Sequence, residues 1–291
     1  MKKLKSIGFA ALYLAITFAV QFILMFELVA QMLIIQFKNS VTLSSDRVME
    51  KFQSYSYNLI LVSLINLVLI CGFGLWYYFI RKRTGPSPVP YRKIMSVKSI
   101  GCMVGLAVCS QFVCNLIMIG FQLVQPEVFK EYLKLAEGLD INVLPAWLTL
   151  FIVAVWAPLA EELVFRAMIF RTLRKGFSLI PAAVISGALF GIYHMNWVQG
   201  VYAGLLGILL AYIYEKTNSL LGSYLFHLIF NLSSYGIEAL QKALPFPEVV
   251  TGLITMGITF VSVGGIIVFI ICFSKIYKKS QNEEIMQNEN I

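Results

Sequence analysis

The sequence predicts an all-α, polytopic membrane protein of about eight transmembrane helices, and three observations lead there. Of its 291 residues 59% are hydrophobic and only 13% charged, with a mean hydropathy of +0.79, too apolar and too poor in charge for a soluble chain of this length. Hydrophobic runs long enough to cross a hydrocarbon core of about 30 Å recur along the chain. The basic residues are also unevenly divided. With the N terminus in the cytoplasm, sixteen of the 23 Lys and Arg fall on that side and six on the other, and Arg166 lies inside a span. That bias fits a cell-membrane protein with both termini cytoplasmic. The net charge of +8 is then a topology signal, and no basic run has the look of a nucleic-acid arm.

The first run, roughly 7–35, follows Met-Lys-Lys-Leu-Lys. It extends far beyond the apolar stretch of a signal peptide and shows no clear cleavage site, so it reads as a retained span. Glu27 within it reads as a snorkelling or cavity-lining carboxyl group. A second span covers 57–80, and the Pro-rich stretch 84–90 after it reads as an extended linker. The third covers 99–124. Beyond it, 126–142 sets Val128, Phe129, Leu133, Leu135 and Ala136 among charges, the pattern of an amphipathic helix at the interface. These elements make an N-terminal region 1–145. Spans at 147–170, 178–197, 198–214 and 219–236 form a segment 146–236 that carries the chemistry. A last span at 250–273 lies within 237–279, and the polar tail 280–291 reads as disordered. Cys71, Cys102, Cys109, Cys114 and Cys272 all fall in spans without CxxC spacing and read as small buried hydrophobes.

The segment 146–236 raises a question of cost. Residues 158–170, PLAEELVFRAMIF, set Glu161, Glu162 and Arg166 in an apolar run, and a charge near the bilayer centre costs at least about 2.5–3.5 kcal/mol. The only two histidines, His194 and His227, also sit in apolar runs, and histidine suits proton transfer or metal binding. Glu162 and Arg166 are spaced i,i+4, so they share a helix face and neutralise each other. Glu161 points about 100° away and is left without a partner on its own helix, an environment that moves a carboxyl group toward the range of a general base. His227 and Asn231 are also i,i+4, as are Phe190 and His194. Pro158 is expected to kink the fourth span beside the glutamates. Counted from the turn near 176, Glu161 and His194 match in depth within about one helical turn, whereas His227 lies only about 12 Å into its helix. The glycine pairs Gly187/Gly191 and Gly200/Gly204 have GxxxG spacing, a signature of close helix packing. Tyr193 reads as an interfacial aromatic.

Three motifs in order on three spans carry a resemblance: EExxxR (Glu161, Glu162, Arg166), FxxxH (Phe190, His194) and HxxxN (His227, Asn231). Together they resemble the CPBP family of intramembrane proteases, which includes the type II CAAX prenyl endopeptidases and the bacterial Abi or bacteriocin-processing proteins. The resemblance covers roughly 145–235, and no motif position departs from the pattern. It implies an endopeptidase acting on a membrane-associated peptide or protein. Glu161 would act as general base on water with help from His194, while His227 and Asn231 would stabilise the oxyanion. Glu162 and Arg166 would order the helix.

On the cofactor two options stand. Glu161, His194 and His227 could form a two-histidine, one-carboxylate site for a divalent metal such as zinc; alternatively the glutamate works without a metal. The chain lacks the HExxH helix of zincins. Other readings of the polar set are an interhelical network that only binds the bundle together, a proton-coupled transporter, and a non-proteolytic regulator or immunity protein of the same family. The transporter reading is weakened by the absence of a second polar centre elsewhere in the chain.

Overall fold

The computed structural model describes residues 1–38, 55–83, 87–137 and 145–288, which are helical apart from short turns and contain no strand. The helices are α1 (Lys2–Lys38), α2 (Tyr55–Arg83), the single turn α3 (Tyr91–Ile94), α4 (Val97–Val124), α5 (Pro126–Glu137), α6 (146–173), α7 (Leu179–Tyr193), α8 (Trp197–Thr217), α9 (Leu220–Ala243) and α10 (Glu248–Asn288). The all-α, polytopic expectation holds. Among the described residues six helices are long and apolar enough to cross a membrane: Lys2–Gln31, Leu59–Phe79, Val97–Val124, Trp147–Leu173, Trp197–Thr217 and Val249–Lys278.

The other two expected spans, the fifth and seventh, exist as α7 and α9 but do not meet that standard, each for its own reason. α7 has 15 residues, about 22 Å at 1.5 Å per residue, short of the hydrocarbon thickness. α9 has 24 residues and ample length, but it carries Ser223, His227, Asn231, Ser233 and Ser234. These are the helices that bear the histidine motifs: length and apolarity have been given up where chemistry-bearing residues sit.

The segment 126–142 is helical as α5 over Pro126–Glu137, its residues 138–142 lying outside the described ones. Of the linker 84–90, residues 87–90 are free of helix, and Val89 N–H donates to the Thr217 carbonyl at 3.0 Å. α10 continues as helix to Asn288, across most of the segment expected to be disordered. Gln281, Glu283, Glu284, Met286 and Gln287 there are good helix formers.

The helices group into two units, Met1–Thr84 with Lys130–Ser178 and Gly85–Phe129 with Leu179–Ile291. In the first, α1, α2 and α6 pack on one another. Tyr13 stands edge-on to Phe73 and Trp76, with ring centroids 6.2 and 5.3 Å away, and Trp156 Nε1 donates to the Ser63 carbonyl at 3.2 Å. In the second, α4 packs against α9 and α10, and α7, α8 and α9 pack in succession. The α7–α8 contact is the glycine-mediated one expected: a Cβ at Gly187 would lie 2.6 Å from the Gly204 carbonyl oxygen, and one at Gly191 would collide with the Gly200 carbonyl. Only glycines permit so close an approach.

Candidate active site

The acidic motif sits on α6, whose local geometry is not the plain α-helix that its spacing suggests. Two π-helical stretches, Ile152–Trp156 and Leu163–Phe170, flank the α-helical Ala157–Glu162. Pro158 lies two residues past the end of the first stretch. Proline has no N–H for the i→i−4 ladder, and here the ladder shifts to i→i+5 pairing, a feature that recurs at functional sites. Sequence spacing alone gave no sign of the second stretch.

Arg166 falls in the second stretch and Glu162 directly before it. Arg166 Nε lies 3.3 Å from Glu162 Oε2, and both side chains are fully buried, so the expected pair is formed. The two glutamates differ in access: Glu162 is fully buried, whereas Glu161 is half-buried.

The histidine motifs lie in the second unit. His194 follows the last residue of α7, where Met195 adopts a positive φ of 50°, the left-handed conformation that ends helices. Asn196 then caps α8 by accepting from Gln199 N–H at 3.0 Å. The chain thus reverses within a few residues, and His194 stands at the corner. Its Nδ1 lies 2.8 Å from the Phe190 carbonyl oxygen. A carbonyl can only accept, so Nδ1 carries the proton and Nε2 keeps its lone pair.

Phe190 joins the two histidines. Its ring meets His194 at 4.7 Å and His227 at 5.9 Å between centroids, both edge to face. Phe190 and His227 are buried and His194 is half-buried. The difference in depth expected for His227 therefore does not keep it from sharing a neighbour with His194. Tyr193 also stands edge-on to His194, at 5.7 Å. One turn past His227 on α9, the Phe230 carbonyl accepts from Gln111 Nε2 on α4 at 2.8 Å, immediately before half-buried Asn231. Gln111 was not singled out from sequence, although a glutamine in the middle of a span is itself a signal.

The fit to a metal can be tested on these residues. Among the described residues no three His, Cys, Asp or Glu side chains gather as a ligand set. The two histidines around Phe190 belong to one unit and Glu161 to the other, and no chemical step is assigned to a metal here. Glu27, on α1, accepts from Gln31 Nε2 at 3.4 Å and stands apart from the motifs in sequence. All five cysteines are free.

Residues 143–233 match the family described as type II CAAX prenyl endopeptidase, Rce1-like. This segment resembles an Rce1-like domain. The match begins just before α6 and ends two residues after Asn231, so the Rce1-like segment holds all three motifs and leaves α1 to α5 and α10 outside it. The family is one of proteases. No curated protein and no solved structure matches the chain.

Proposed function

We propose that the chain is an intramembrane endopeptidase that hydrolyses a peptide bond in a membrane-associated protein or peptide precursor, of CAAX type or of the bacteriocin or signal-peptide kind, in the cell membrane with both termini cytoplasmic. The observation that carries the reading is the complete set of motif residues within the matched segment 143–233. Two local features support it. Glu161 is the accessible member of the glutamate pair, as a group that must meet water has to be. His194 has its tautomer set by the Phe190 carbonyl, leaving a basic nitrogen available.

In this reading Glu161 removes a proton from water, and the water oxygen attacks the scissile carbonyl carbon. His194 Nε2 helps to orient that water. Negative charge develops on the carbonyl oxygen and is met by N–H donors of His227 and Asn231; such preorganised donors are worth about 2.7–4 kcal/mol each in other hydrolases. Collapse of the intermediate breaks the C–N bond, and the proton held by Glu161 passes to the departing amine. Glu162 and Arg166 touch no reacting atom. They fix the charge balance and the helical geometry beneath Glu161.

The test compares membrane-bound and released peptides by mass spectrometry in cells carrying the wild type or Glu161→Gln at equal abundance. Specific fragments present only with the wild type support the proposal and name the substrate. Matching profiles overturn it, and a cellular phenotype that survives the substitution would then point to action by binding.

A further inference from the structure

The molecule holds a second built feature, in the first unit and remote in sequence from the motif residues. A cavity of about 500 Å³ opens where the start of α1 meets the turn after α6. Three cations converge on it, Lys2 and Lys5 from α1 and Lys175 from the turn, together with the hydroxyls of Ser6 and Thr172. Among the described residues, those lining it include no Asp or Glu, and no carboxylate pairs with any of the three lysines.

The convergence is held by packing. At Gly176 an added Cβ would lie 2.8 Å from Ser6 Oγ and 3.1 Å from the Lys3 Cα, so the turn approaches α1 as only a glycine can. Lys3 also lies over the Phe177 ring, 5.8 Å from its centroid, a cation–π contact that docks the same two segments. Lys2, Lys5 and Lys175 are exposed around the cavity, and like charges gathered at one opening repel one another unless an anion offsets them. The cavity wall then continues as apolar surface: Phe9 and Tyr13, one helical turn apart on α1, lead from the charged end along the span.

We infer that this cavity binds the phosphate group of an anionic phospholipid, with the three lysines and two hydroxyls on the headgroup and Phe9 and Tyr13 along the start of an acyl chain. Lysine binds phosphate as a point charge, and basic pockets between membrane helices take anionic headgroups. A phosphate with an apolar chain attached suits a wall that is charged at one end and aromatic along the other. A free phosphate would use only the first half.

Native mass spectrometry of the purified full-length protein, exchanged from detergent into phosphatidylglycerol or phosphatidylcholine mixtures, tests this. The wild type is expected to retain phosphatidylglycerol over phosphatidylcholine, and each Lys→Gln change at 2, 5 or 175 to lower retention by about fivefold. A triple Lys→Arg variant should keep it. Equal retention of the two lipids, or undiminished retention by the triple Lys→Gln variant at unchanged melting temperature, overturns the inference. Displacement of the lipid by millimolar inorganic phosphate alone overturns the lipid assignment. None of these outcomes depends on peptidase activity.

Discussion

The acidic and the histidine-bearing helices hold their polar groups by different physics. On α6 a fully buried ion pair, Glu162 with Arg166, sits where the helix has widened into π turns. Around α7, α8 and α9 the histidines are held instead by an aromatic ring, a carbonyl acceptor and glycine-lined helix contacts. Charge pairing is strong but needs both partners, because removal of one strands the other in a medium that cannot solvate it. Packing tolerates loss more gradually. The two arrangements should therefore fail in different ways when altered.

The largest expected effect is chemical. Glu161→Gln should lower substrate cleavage by about 10²–10⁴-fold, the range for loss of a general base, with abundance and melting temperature unchanged. Glu162 is the glutamate paired with Arg166, so the matching Glu162→Gln change serves as the contrast. It should cost stability first and activity only through it, and equal activity losses at equal stability would erase the distinction between the two glutamates.

Next is the ion pair itself. Arg166→Ala leaves Glu162 buried without its contact and should destabilise the protein by about 3–5 kcal/mol, measured as thermal unfolding in micelles. The double change Glu162→Gln with Arg166→Met removes both charges and should recover most of that loss. If the double variant is as unstable as the single one, the pair is not what holds α6 together.

In the second unit the expected losses are smaller. Gly191→Ala pushes a methyl group into the Gly200 carbonyl on α8 and should cost about 1–3 kcal/mol, as overpacking does elsewhere. Gly74→Ala is the control, since the nearest atom to its added Cβ would be 3.8 Å away, an ordinary contact. Comparable losses at both positions would mean that the α7–α8 approach is no tighter than the rest.

What could be read from sequence follows the same division. Hydropathy and motif spacing were enough for the helical class, the Glu162–Arg166 contact and the glycine faces of α7 and α8, because each depends on residues a few positions apart or on local composition. The π stretches on α6 were not legible. They alter hydrogen-bond pairing without altering which residues are apolar. The common neighbour of His194 and His227 was equally hidden. Both motifs were visible, but counting residues from a turn gives depth along an axis and says nothing of tilt. Gln111 reaches α9 from a helix 119 positions away in sequence from its acceptor, a relation that only the folded chain displays.

That long-range contact yields the smallest and most discriminating prediction. Gln111 Nε2 donates to the carbonyl of Phe230, between His227 and Asn231 on the same helix. If it only adds adhesion between α4 and α9, Gln111→Leu should cost about 0.6 kcal/mol, and at most about 1.7, the measured range for hydrogen bonds between membrane helices. The cleavage rate per folded molecule would then be unchanged. If it sets the rotation of α9, the same substitution should lower that rate by about threefold or more, and Gln111→Asn, whose amide is one carbon shorter, should not restore it. A rate loss with unaltered melting temperature would show that the histidine side of the molecule is positioned from α4, outside the matched segment, whereas the acidic side carries its own positioning within α6.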